Sequence, residues 1–230
     1  MTPPNTPSPA SSASSASSAS PGVHHPLFAR FYARFSVSAD TKGGLGELRA
    51  ELLAGLSGRV IEIGAGNGLN FAHYPAGVTE VVALEPESRL RRLAQEAALR
   101  APVPVTVLPD TAEALPLEDA SFDAGVASLV LCTVRNLPQA LAELHRVLRP
   151  GAELRFFEHG VADTPGLARV QRGLDRTVWP LLFGGCHTSR APLAAIEAAG
   201  FTLGPYRSFD VPEKGPRLPS SPCVLGAARR

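Results

Sequence analysis

Gly58-Arg-Val-Ile-Glu-Ile-Gly-Ala-Gly-Asn-Gly68 is a short apolar run that carries one acid and ends in glycines at positions 64, 66 and 68. A run holding Val60, Ile61 and Ile63 reads as a strand buried on both faces, as strands of a parallel sheet are. Glycines placed directly behind it let backbone N–H groups approach a ligand without Cβ obstruction, so the strand runs into a nucleotide-cradling loop. The spacing separates two ligand classes. A dinucleotide fold wants G-x-G-x-x-G, with its third glycine where helix and strand pack. Here Gly68 comes one place early, and Leu69 fills the dinucleotide position. Glu62 is a second discriminator, because a carboxylate inside an apolar strand is costly unless a cation or several N–H donors meet it. A ligand bearing an ammonium group suits that acid, whereas a pyrophosphate has the wrong sign.

Outward from this loop, short apolar runs alternate with longer amphipathic stretches, which argues for a parallel sheet covered by helices on both faces. Strands are expected at Arg59 to Ile63, Glu80 to Leu84, Val103 to Leu108, Phe122 to Ala127 and Ala152 to Glu158, with Phe201 to Phe209 and Pro222 to Ala227 as a closing hairpin at the sheet edge. Helices are expected at Glu87 to Arg100, at Leu137 to Leu148 up to the Arg149-Pro150-Gly151 stop, and at Arg190 to Ala199. Between the fifth strand and that last helix lies an insert punctuated by Gly and Pro, at about residues 160–190. The fold class is therefore α/β, a Rossmann-like, doubly wound, mostly parallel sheet of seven strands with an antiparallel last strand.

At 230 residues and 44% hydrophobic content there is room for one domain, assigned to residues 23–230. Residues 1–22 are, but for Met1, Asn5 and Gly22, all Thr, Pro, Ser and Ala, too poor in large apolar side chains to repay the entropy of folding, and read as a disordered leader. They show neither a secretion signal nor an integral membrane segment. The balance of 22 basic against 21 acidic residues gives no field that would draw the chain onto nucleic acid, so a small-molecule substrate is expected. Cys132, Cys186 and Cys223 are far apart, odd in number and without metal-ligand spacing. That spacing indicates neither a disulfide framework nor a zinc site, and it fits a cytoplasmic protein. No residue pattern specifies an oligomeric state.

In an open parallel sheet, ligands bind beyond the carboxyl ends of the strands, where the strand order reverses. The first strand end supplies Gly64, Ala65, Gly66, Asn67 and Gly68, with a helix start near Asn70 offering N–H groups to a carboxylate. After the second strand comes Glu85-Pro86, where a carboxylate can accept both ribose hydroxyls. The third strand leads into a polar helix start, with Thr111 and the Ala112 N–H suited to an adenine edge, and the fourth into Ser128-Leu-Val-Leu-Cys132. His159 at the end of the fifth strand is the titratable side chain to weigh as a base or substrate contact, against a structural hydrogen bond. Cys132 reads as a small buried apolar residue. Ahead of the sheet, a helix with Phe31 and Tyr32 on its broad apolar face is either core packing or a lid over the pocket. Trp179, with Leu182 and Phe183, is a substrate wall or core.

Glu62-Ile-Gly-Ala-Gly-Asn-Gly68, Glu85-Pro86, Ala112 to Asp123 and Leu144 to Gly151 together resemble the class I S-adenosylmethionine-dependent methyltransferases over about residues 58–158. Ser128 to Val134, Phe157-Glu-His159 and Val178 to Arg190 are similar to the branch that holds the thiol S-methyltransferases. The resemblance implies S-adenosyl-L-methionine as cofactor, held by Glu62, the glycine loop, Asn70, Glu85, Pro86, Thr111, Ala112 and Ser128. It implies a small, apolar acceptor, a thiol among the candidates, meeting Leu131, His159 and Trp179. Phospholipid or small-metabolite N- or O-methylation and non-catalytic cofactor binding are the competing readings, and no catalytic residue is assigned.

Overall fold

In the computed structural model, the described residues are 36–37, 40, 44–213 and 216–230. The leader and the Phe31/Tyr32 helix lie outside them. Helix α1 (Leu45–Leu53) precedes β1 (Gly58–Ile63) and β2 (Val78–Leu84). Then follow α2 (Ser88–Ala98), β3 (Val105–Leu108), β4 (Phe122–Ser128), α3 (Leu137–Val147) and β5 (Leu148–His159). The insert forms α4 (Pro165–Asp175) and α5 (Trp179–Leu182); α6 (Pro192–Ala198), β6 (Thr202–Asp210) and β7 (Pro222–Arg229) complete the chain.

The sheet has seven strands in the order β3-β2-β1-β4-β5-β7-β6. β1 to β5 pair in parallel, and β7 runs antiparallel between β5 and β6, giving the edge hairpin that the sequence implies. Alternation along β1 assigns its residues to two layers. Ile61 and Ile63 pack into one apolar core with Leu84, Leu141, Leu144 and Phe156, while Val60 faces a second core with Leu52, Leu53, Val81 and Phe157. Helix α3 turns Ala140, Leu141, Leu144 and Val147 inward, an apolar stripe of helical period. The order reverses at β1/β4, which sets the loops after those two strands side by side.

Three of the differences from the sequence reading have a local physical cause. β3 starts at Val105, because Pro102 and Pro104 supply no N–H to the ladder. β5 begins at Leu148, directly at the end of α3, and reaches Glu153 through an irregularity that holds Gly151 at φ 81°. The insert is also more helical than its Gly and Pro content implies; Pro165 and Pro180 sit in first turns, where a missing N–H costs nothing. No helix among the described residues is long and apolar enough to cross a membrane.

Candidate active site

The glycine loop is held from both sides before any ligand is considered. Gly64 has φ 63°, and a Cβ built there would lie 2.2 Å from Val130 Cγ2, so only glycine lets the β1 loop lie against the β4 loop. From the other side the Gly66 N–H donates to Glu85 Oε2 at 2.8 Å, and the Glu87 N–H donates to Glu85 Oε1 at 2.8 Å. Glu85 is buried, and burial pushes its pKa up to about 7 against the opposing pull of those N–H groups. Glu87 in turn accepts the Leu90 N–H at 2.7 Å and caps α2.

Glu62 is answered from inside the protein. Asn70 Nδ2 donates to its Oε1 at 2.8 Å, and the Tyr74 hydroxyl donates to its Oε2 at 2.7 Å. Burial outweighs these donors, raising Glu62 to about 7 and holding Tyr74 well above its ordinary range. Arg49 extends the network, donating to Asn70 Oδ1 at 2.7 Å, to Asp40 at 2.8 Å and, more weakly, to Ser128 Oγ at 3.4 Å. Glu62 is thus met by two neutral donors and, through Asn70, an arginine. Arg49 escaped the sequence reading, although it interrupts the apolar stripe of Leu45, Leu48, Leu52 and Leu53 on α1.

A cavity of about 770 Å³ opens along the carboxyl edge of the sheet. Gly64, Gly66, Glu85, Pro86, Thr111 and Ala112 line one end, which gathers six of the twelve expected cofactor residues. Of the others, Glu62, Asn70 and Ser128 belong to the Arg49 network, Asn67 donates to Ser36 Oγ at 3.1 Å, and Ala65 and Gly68 shape the loop backbone. The helix expected at Asn70 is a single 3₁₀ turn, Phe71–His73, stopped before Pro75, so no helix dipole is available there. The segment at Thr111 is likewise a turn and not a helix start, with Pro116 close behind.

Thr133, Val134, Gly185, His187 and Arg190 line the opposite end. The insert is tied down there by several bonds. His187 N–H donates to the Cys132 carbonyl at 2.8 Å, Arg190 reaches the Leu131 carbonyl, and Asp175 accepts from the backbone and hydroxyl groups of both Thr188 and Ser189. The β4 loop is pinned from below by Glu158, whose Oε1 accepts the Val130 and Leu131 N–H groups at 2.9 Å each. His187 Nδ1 lies 2.7 Å from the Gly185 carbonyl, an arrangement that makes Nδ1 the donor and leaves Nε2 as the lone-pair nitrogen.

Of the expected substrate residues, Leu131, His159 and Trp179 are described and are not among those that line the cavity. Leu131 is core, Trp179 stacks on Phe183 with ring centroids 4.2 Å apart, and His159 turns its ring toward two thiols. His159 Nδ1 is 3.7 Å from Cys132 Sγ and 3.9 Å from Cys186 Sγ. Cys132 and Cys186, spaced too widely to read as a sequence motif, meet His159 where β4, β5 and the insert converge. The Cys132 thiol is held well above its ordinary range by Cys186 and by burial. Cys186 is shifted downward, first by the Cys132 hydrogen bond and further by His159.

Comparison with known proteins agrees with this geometry. A family model described as a methyltransferase domain matches residues 61–156. The mouse thiol S-methyltransferase TMT1B is 34% identical over 183 residues, covering 76% of this chain and 73% of its own length. The human thiol S-methyltransferase TMT1A is 33% identical over 156 residues, covering 65% of this chain and 63% of its own length. Ubiquinone/menaquinone C-methyltransferases and malonyl-[acyl-carrier protein] O-methyltransferases match as well, at 31–34% identity. Among solved structures, an S-adenosylmethionine-dependent methyltransferase from Thermotoga maritima superposes with a TM-score of 0.63 at 22% identity, covering 89% of this chain and 99% of that one, which speaks for the fold.

Proposed function

The chain belongs to the class I S-adenosylmethionine-dependent methyltransferases, and on that premise we propose that it methylates the sulfur of a small, apolar thiol. The observation that carries the acceptor is the likeness, over three quarters of the chain, to thiol S-methyltransferases. At the acceptor end of the cavity the β4 loop and the insert supply Thr133, Val134, Gly185, His187 and Arg190, and the carboxylate beside them, Glu113, accepts the Arg135 and Asn136 N–H groups at 2.8 and 3.2 Å.

The cofactor end suits S-adenosylmethionine on the chemistry of its donor set. Glu85 lines the cavity, yet each of its oxygens holds only one backbone N–H, so both keep acceptor capacity for a pair of ribose hydroxyls. Thr111 and Ala112 would border the adenine, and the glycine loop would lie along the remainder. When bound, the cofactor supplies an electrophilic sulfonium methyl, so the protein's task is alignment and the exclusion of water. The insert, braced internally by Asp175 and fastened to the β4 loop by Arg190 and His187, forms the wall that keeps the acceptor in line. A thiol reacts as its thiolate, and the proton it loses goes to solvent or to His187 Nε2.

Rate against pH tests the acceptor atom. For a series of small thiols the midpoint should follow each thiol's own ionisation. A midpoint that stays fixed across the series would overturn the reading. It would favour a hydroxyl or amine acceptor, which needs a base of the kind that His187 offers.

A further inference from the structure

Three elements bring two thiols and an imidazole together: Cys132 from the loop after β4, His159 from the last residue of β5, and Cys186 from the insert. Their donor atoms all lie within 4.8 Å of one another, and the two S···N separations are 3.7 and 3.9 Å. Zinc–sulfur bonds of about 2.3 Å and zinc–nitrogen bonds of about 2.05 Å, held in a tetrahedron, span S···N edges of about 3.6 Å. The observed spacing therefore approaches what one ion would impose.

We propose that Cys132, Cys186 and His159 form a binding site for a divalent, zinc-class cation, ligated by two thiolates and by Nδ1 of the imidazole. Charge supports a divalent ion. Two thiols lose their protons on binding, and a dication between two thiolates and a neutral imidazole leaves no net charge in a place where both cysteines are buried. Donor softness supports zinc over magnesium or calcium, which take oxygen ligands. A third observation concerns Trp179. Its indole N–H is buried without a hydrogen-bond partner among the described residues and bears on Cys186, the arrangement in which a metal-bound thiolate accepts an outer hydrogen bond. The half-buried His159 ring leaves a way in. Three protein ligands leave a fourth position, as in zinc sites that take a water or a substrate. The metal site does not rest on the thiol reading of the acceptor.

The test uses the full chain, purified with its thiols reduced, incubated with zinc and dialysed. Elemental mass spectrometry should find one zinc per chain, and cobalt(II) in its place should give intense thiolate-to-cobalt charge-transfer absorption. Cys132→Ser, Cys186→Ser and His159→Gln should each weaken metal binding tenfold or more, with calorimetry of S-adenosylmethionine binding showing which variants remain folded. Should all three misfold, the cobalt spectrum of the unaltered chain decides. Less than a tenth of an ion per chain with no charge-transfer band overturns the proposal; so does undiminished metal in all three variants, or a Cys132–Cys186 disulfide recovered under the loading conditions. A metal-free chain that methylates thiols sinks the site and spares the function, and a zinc-loaded chain that methylates no thiol does the reverse.

Discussion

The Gly66 N–H donates to the Glu85 carboxylate over 2.8 Å, so the loop after β1 and the acid after β2 form one unit before a ligand arrives. Each half of the ligand site is in this way fixed by the other. Glu85→Ala should weaken S-adenosylmethionine binding by about 1.5–3 kcal/mol, the range for hydrogen bonds to a charged group, or about 10- to 150-fold in Kd. Calorimetry at constant pH measures it, and a change below about threefold would remove Glu85 from the ribose.

Glu85 also makes binding depend on pH. Its folded pKa is raised from 4.5 to about 7 by burial, so between those values the ligand-free fold favours the protonated acid. Its contribution to stability is present below about pH 4.5 and is lost as pH rises through about 7. Ribose hydroxyls donate to the ionised form, so cofactor affinity should strengthen from pH 6 to pH 8, and Glu85→Gln should flatten that trend. Parallel slopes in the two proteins would assign the dependence to another group.

Arg49 holds Asp40 and Asn70 at once, and Asn70 holds Glu62. Arg49→Ala leaves buried polar groups without their cation and should cost about 3 kcal/mol, or roughly 6–12 °C in Tm for a chain of this size. Tyr74→Phe removes one donor to Glu62 and should cost about 1–3 kcal/mol. A thermal melt of Arg49→Ala that matches the parent within a degree would show that the network carries no stability.

What the sequence makes legible is local. The β1 run, its glycines and Glu85 follow one another within 28 residues, and strand burial plus turn chemistry suffices to read them. Arg49 and the Glu62 network are not local, because Asn70 and Tyr74 reach Glu62 across a turn whose 3₁₀ form depends on Pro75. Arg49 did leave a signal, a cation in the middle of an apolar helix stripe. The thiol–imidazole cluster left none, since Cys132, His159 and Cys186 stand 27 residues apart in turn and meet only through the sheet order. His187 is fixed by a carbonyl two residues away, a contact made by the fold of the insert.

Gly64 carries the closest backbone approach in the site. Gly64→Ala should both strain the loop and drive its methyl into Val130, lowering Tm and abolishing measurable cofactor binding, while Val130→Ala in the same chain should recover part of the steric loss. Unaltered cofactor affinity in the single variant would mean that the β1 and β4 loops can part freely.

His187→Ala separates positioning from base chemistry. With a thiol acceptor, turnover should fall by less than the 10²- to 10⁴-fold typical of losing a general base, and the rate should still follow the thiol's own ionisation. A loss of about 10³-fold or more would make His187 the base.

Competition in one vessel reaches the central claim most directly. The full chain is given methyl-labelled S-adenosylmethionine with equal amounts of an alkyl thiol, an alkylamine and a phenol of similar size, and the products are resolved by mass spectrometry. The label should appear as the methyl thioether, at least tenfold over the other two products. Label found mainly on the amine or the phenol, or no transfer from a chain that binds the cofactor, would contradict the account.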